Sequence, residues 1–152
     1  MPTAERAELR LDVHIDAAPE AVWDAVVDWD RQGEWMLGTR VRGTVGGGVG
    51  VGGRLEAFTG VGRLGFLDTM VITEWDPPRR CVVTHTGKPV TGTGVFEVVP
   101  EGGGSRFLWA EQLELPYGRL GRLAWPIVRP LAAAGVRRSL LRLARSLEHP
   151  TA

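Results

Sequence analysis

The sequence predicts an α+β fold: a seven-stranded curved antiparallel sheet gripping a long C-terminal helix, with two short helices after the first strand. Three observations predict it. Period-two hydrophobic alternation opens the chain and recurs through its middle. Glycine- and proline-rich turn signals separate the strand candidates. After Pro116 the apolar spacing changes to three and four. Twenty-one glycines and ten prolines in 152 residues mean many bends, which favours short strands.

In residues 8–16, Leu9, Leu11, Val13 and Ile15 alternate with polar neighbours, as in a half-buried strand. The same alternation sends His14 to the wet face. Pro19 then opens a helix at its first position, where the missing N–H costs nothing. Val22, Trp23, Val26 and Trp29 make one apolar stripe, with Asp24, Asp28 and Asp30 on the other side. This helix is expected to stop before Gly33, with a second helical turn over Glu34 to Leu37. Ala18, at the N-cap position, has no side-chain acceptor, which leaves Asp16 as the substitute.

Six further strands are expected at 39–45, 52–59, 67–75, 80–87, 92–99 and 105–115. The turns between them are the glycines of 46–53, Gly60 to Gly65, Asp76-Pro77-Pro78, Gly87-Lys88-Pro89 and Pro100 to Gly104. Short links of this kind imply antiparallel neighbours. Two G-x-G-x-x-G patterns occur, at Gly48/Gly50/Gly53 and Gly60/Gly62/Gly65. Each is followed by strand-like sequence, whereas a dinucleotide loop must open a helix. They read as hairpin tips that could gate a cavity mouth.

In the last segment Leu120, Leu123, Ile127 and Leu131 continue, after a shift near Gly135, as Val136, Leu140, Leu143 and Leu147. This is an amphipathic helix of roughly 25 residues, with Pro126 and Pro130 kinking or delaying its start. Seven arginines lie between Arg119 and Arg145, against the single acid Glu148. They read as a wet arginine face, with docking on an acidic partner or membrane surface as the alternative. One apolar sheet face and one helix to cover it fit together. A seven-stranded sheet curls, with Gly43, Gly65 and Gly94 as bend points. The gap between sheet and helix is then an apolar cavity for a small ligand.

Composition excludes several function classes. The length fits one domain, residues 1–152. Eighteen basic residues balance eighteen acidic ones, so no global field draws in nucleic acid. One cysteine, Cys81, excludes an internal disulfide and a cysteine cage; it is expected to be a buried small hydrophobe. His14, His85 and His149 lie far apart, so neither a metal nor a cofactor is expected. No charged start leads into an apolar stretch, and Arg129, Pro126 and Pro130 break the run from Ala124 to Val136. No integral membrane contact is therefore expected, and the cytoplasm is the expected compartment.

Strand parity selects the candidate chemistry. Phe107, Trp109, Glu111, Leu113 and Leu115 share one face, and Cys81, Val83 and His85 share another. Burial raises the pKa of a carboxyl such as Glu111 and pulls a histidine such as His85 down. Such a pair can exchange protons with a bound ligand near neutral pH. The plainer alternative pairs Glu111 with Arg63 or Arg119 and leaves His85 as a hydrogen-bonded rim residue. Trp23 and Trp29 read as core; Trp35, Trp109 and Trp125 fall where the helices should meet the cavity.

The chain resembles the START-like, or helix-grip (SRPBCC), superfamily, and within it the polyketide cyclase/dehydrase and lipid transport group. The resemblance is carried by Ile15-Asp-Ala-Ala-Pro-Glu-Ala-Val-Trp-Asp-Ala-Val, Asp28-Trp29, Trp35, Val51-Gly-Gly-Arg-Leu, Ile72-Thr-Glu-Trp-Asp-Pro-Pro-Arg-Arg and Phe96-Glu-Val-Val-Pro. It implies a protein that binds, and in some relatives carries, a hydrophobic small molecule. The alternatives are a polyketide cyclase or dehydratase, with Glu111 and His85 as acid–base residues, and a protein-docking module using the basic helix. The expected ligand lining is Trp35, Leu55, Val83, His85, Phe96, Phe107, Trp109, Glu111, Trp125, Ile127 and Leu131.

Overall fold

The computed structural model describes residues 6–87, 90–115 and 117–150. The chain begins with β1 (Arg6–Ile15), α1 (Pro19–Val26) and a 3-10 turn (Trp29–Glu34). Then come β2 (Thr39–Val45), a 3-10 turn at Gly46–Gly48, β3 (Arg54–Val61), β4 (Leu64–Asp76), β5 (Arg80–His85), β6 (Thr91–Glu101) and β7 (Gly104–Glu114). The last element is α2 (Arg119–Glu148). The strands form one antiparallel sheet in the order β1-β7-β6-β5-β4-β3-β2. α1 and the first 3-10 turn carry the chain from one sheet edge to the other. The predicted fold class is the observed one. Part of the expected turn, Lys88-Pro89, lies outside the described residues.

Alternation behaves as expected along β1: Leu9 and Ile15 are buried, and Glu8, Arg10 and Asp12 are exposed. The fully buried core joins both layers, with Ile15, Ile72 and Phe107 from the sheet and Val22, Leu140 and Leu143 from the helices. Trp23 of α1 meets Trp75 of β4 edge to face, with centroids 5.2 Å apart.

Four local expectations are corrected. Gly60 to Gly65 is not an open turn: Gly60 pairs with Gly65 and Val61 with Leu64, leaving a two-residue hairpin at Gly62-Arg63. Asp16 does not cap α1, which has no side-chain cap; it accepts a hydrogen bond from His14 at 2.9 Å. α1 stops at Val26, and the next helical residues are the 3-10 turn, so Trp29 leaves the first helix's stripe. A tertiary contact explains this: the Trp29 indole N–H donates to the Gly48 carbonyl at 2.8 Å. Gly48 suits that contact, with a left-handed φ of 70° and an indole where a Cβ would stand.

The fourth correction concerns α2, which runs unbroken for 30 residues through both prolines. Pro126 and Pro130 are four residues apart and exposed, so they stack on one side of the helix where freed carbonyls meet water. Only the second half of α2 supplies core. Ser139, Leu140, Leu143 and Ala144 are buried. The Leu37 N–H donates to Ser139 Oγ at 3.0 Å, and Arg142 donates to the Glu34 carbonyl at 2.9 Å. Leu131 and Leu140 are nine residues apart. At about 3.6 residues per turn that is roughly two and a half turns, so they point to opposite sides.

Leu140→Asp is expected to unfold the protein, because it puts an unpaired charge into the core. Leu131→Asp, on the exposed half of the same helix, is expected to leave the melting temperature within about 2 °C of wild type. Thermal denaturation by circular dichroism checks both; equal losses would place Leu131 in the core.

Candidate functional site

The sheet's inner face carries alternate residues of each strand. On β7 these include Phe107, Trp109 and Glu111; on β5, Cys81, Val83 and His85; on β4, Asp68, Met70 and Ile72. His85 lies opposite Met70, which puts Asp68 at the diagonal position on the neighbouring strand. Glu111 reaches His85 from two strands away. β6 lies between them, and its inward residues at that level are Gly92 and Gly94. A Cβ on Gly94 would stand 2.9 Å from Glu111 Oε1 and 3.1 Å from Val83. The missing side chain therefore lets the carboxylate cross β6.

The result is a chain of three titratable groups. His85 Nδ1 is 2.8 Å from Asp68 Oδ2, and Nε2 is 2.8 Å from Glu111 Oε2. The His85 side chain is 3% exposed, Asp68 11% and Glu111 16%. Burial alone would lower the imidazole's pKa, but the hydrogen bonds from Asp68 and Glu111 outweigh it and hold it at about 9. Burial pushes the Glu111 carboxyl up, against the opposing pull of His85. At neutral pH His85 is a cation donating both N–H groups.

These groups open onto a cavity of about 150 Å³. Its apolar wall includes Trp29, Leu55, Met70, Val83, Phe96 and Trp109. None of its described lining residues is an arginine or lysine. Gln32 also lines it, and its buried Oε1 has no hydrogen-bond partner among the described residues. Cys81 lines it as well; burial, with Glu74 nearby, pushes the thiol up to about 12, so it stays protonated. Among the described residues, no three His, Cys, Asp or Glu side chains are arranged to hold a metal ion.

Of the residues expected to line the cavity, Leu55, Val83, His85, Phe96, Trp109 and Glu111 do. Trp35 and Phe107 sit behind it in the core, in mutual edge contact 6.2 Å apart. Ile127 and Leu131 do not reach it, because the first half of α2 turns their stripe outward, and Trp125, half-buried on another side of the helix, does not line it either. Glu111 pairs with His85 rather than with Arg63 or Arg119. Asp68, Gln32 and Trp29 are additions. Asp68 had a readable signal: it shares parity with Met70 and Ile72. So did the crossing point, since Thr91-Gly92-Thr93-Gly94 puts two glycines on one face of a strand. Gln32, on a 3-10 turn, had none.

The His85 pKa gives a stability prediction. Its folded value of about 9 exceeds its ordinary 6.5, so the native state holds the extra proton between those pH values. The contribution is fully present below pH 6.5 and is lost as pH rises through about 9. Glu111, also raised, acts with the same sign from its own ordinary range upward. Urea denaturation in a His14→Gln background, which removes the surface histidine's share, should show up to about 3 kcal/mol lost over that window. Stability that is level or rising there would mean that His85 is neutral in the fold.

Comparisons with known proteins agree with this architecture. Rv1546 of Mycobacterium tuberculosis, an uncharacterized protein, is 30% identical over 105 residues, covering 65% of this chain and 71% of that protein. The crystal structure of TTHA0849 from Thermus thermophilus superposes with a TM-score of 0.77 at 20% identity, covering 96% of this chain and all of that one. The di-domain ARO/CYC BexL of the BE-7585A biosynthetic pathway superposes with a TM-score of 0.75 at 18% identity; the match covers 99% of this chain and 52% of BexL. Residues 6–148 match the family described as polyketide cyclase/dehydrase and lipid transport. That match spans nearly the whole chain, and the chain belongs to that family.

Proposed function

We propose that the protein binds a small, mostly apolar molecule bearing a hydroxyl or amino group, held in the cavity with that group donating to Glu111 or to Gln32. The observation that carries this reading is the pairing of an aromatic-walled cavity with acceptors that lack a complement. His85 spends both N–H groups on carboxylates, so this charged trio offers oxygens rather than donors to a guest. The buried Gln32 oxygen without a partner costs about 1–3 kcal/mol, which a guest's donor would relieve.

Size narrows the guest. An apolar cavity of about 150 Å³ admits a benzene-sized molecule. One aromatic ring, or one end of a longer molecule, fits. Burying about 200 Å² of guest gives roughly 5 kcal/mol, against an association cost of at least about 4 kcal/mol. Area alone therefore gives weak binding, and selectivity falls to the polar match.

A second reading, catalysis of an aldol cyclisation or dehydration on a polyketone, is favoured by one observation. Glu111 is a raised carboxyl in contact with the cavity and hydrogen-bonded to a cationic histidine. In that reading Glu111 moves the proton. His85, already protonated at neutral pH, positions it.

Two-dimensional amide NMR with 4-methylphenol and toluene separates the outcomes. The phenol is expected to bind several-fold tighter, with shifts clustered at Ala57, Val83 and Gly94. Glu111→Gln is expected to stay folded and narrow the difference. Shifts scattered over the surface for both guests would remove the binding reading. Loss of turnover on a β-ketone in a Glu111→Gln protein that still binds guest would select the enzyme reading.

A further inference from the structure

The aromatic and polar parts of the cavity wall stand at two levels of the sheet. At one level Phe96 of β6 lies opposite Trp109 of β7. Trp29 approaches Phe96 with ring centroids 6.1 Å apart, and its N–H is spent on Gly48, so it offers the cavity its ring. Two residues along the same strand faces, Gly94 lies opposite Glu111. That step is roughly 7 Å. Glu111 meets His85 through Oε2. Its Oε1 stands at the bare Gly94 position, 2.9 Å from where a Cβ would be. On the described lining Asp68 and Glu111 face a single basic group, His85, which already donates to both.

Within the guest-binding reading, on which this rests, we infer that the guest is a primary arylalkylamine bound as its ammonium ion, with its ring at the Trp109–Phe96 level and its nitrogen at Glu111. A carboxylate end carries the wrong charge: it would meet two carboxyl groups, and the cationic donor beside them is already spent. A hydroxyl end donates one neutral hydrogen bond. An ammonium donates a charge-assisted one, which is roughly twice as strong. Burial opposes the ionised form of Glu111, and a cation beside it favours that form. The remaining N–H groups of a primary ammonium can serve the buried Gln32 oxygen, a second acceptor on the same wall; a quaternary ammonium has none to give. The negative faces of the aromatic rings attract the same charge. Taking an ammonium out of water is costly, so the preference depends on Glu111. The spacing of the two levels calls for a short alkyl link between ring and nitrogen, about two carbons long.

Titration with 2-phenylethylamine, 2-phenylethanol and phenylacetate tests it, followed by amide NMR near neutral pH. Salt at about 0.15 M screens loose pairing with surface charges. The amine is expected to bind at least about tenfold tighter than the alcohol, with shifts at Ala57, Val83 and Gly94, and the acid is expected to bind weakest. Glu111→Gln is expected to bring amine and alcohol within about threefold of each other. The wild-type comparison stands whether or not that variant folds. An alcohol or acid that occupies the cavity as tightly as the amine overturns the inference and leaves the guest-binding reading standing. So does an amine whose shifts fall on the surface acids Asp12, Asp16 and Glu101. An amine preference that survives Glu111→Gln takes the nitrogen away from Glu111 and overturns it as well. Cavity shifts with none of the three would remove the guest-binding reading itself, and this inference with it.

Discussion

The inner face of this sheet is organised around one buried cation. His85 sits among apolar side chains, where an unpaired charge would be too costly to keep. Asp68 on one side and Glu111 on the other make it tolerable, each at 2.8 Å. Removing either partner leaves one buried His85 N–H without its acceptor, so the three groups hold one another in place. The surrounding sequence makes room for this. Gly94 clears the path of Glu111 across β6, and Ala57 stands opposite Asp68 on β3. Both line the cavity, and small residues there leave open the space that larger ones would fill. His14 shows what burial adds. It too lies between two carboxylates, Asp16 and Glu101, but in solvent, where such pairs contribute little.

The terminal helix divides its work along its length. Its second half closes the core and is tied to the segment after the first 3-10 turn through Ser139 and Arg142. Its first half continues the same rigid rod with the apolar stripe rotated outward. A helix fixed at one end cannot bring both stripes inward, so the cavity is walled by the sheet and by the Trp29–Met36 segment instead. Trp29 joins that segment to the β2–β3 connection through Gly48, which is buried while Val49 and Val51 of the same connection stay exposed.

Much of this was legible in the sequence, because period-two and period-3.6 patterns each read one element at a time. The strands, their inward parity and the pairing of Glu111 and His85 with apolar neighbours all follow from such patterns. Contacts between strands do not. That Asp68 meets His85 depends on the register of β4 against β5, which shifts at a bulge between Ile72 and Glu74. The first helix's end was hidden because a distant backbone carbonyl claims Trp29. The prolines do not delay α2, because they share one wet side, where their lost hydrogen bonds cost least. The place of Ile127 and Leu131 turns on the stripe shift near Gly135, which is visible in sequence. Its consequence appears only once the second half is known to be the anchored one.

The protonation of His85 is the most direct test of this arrangement. Nitrogen-15 NMR of the imidazole reads both ring nitrogens as a function of pH. Both are expected to stay protonated through neutral pH and to release a proton only near 9. A ring carrying one bare nitrogen at pH 7 would contradict the buried cation, because a neutral His85 can donate to only one of its two carboxylates.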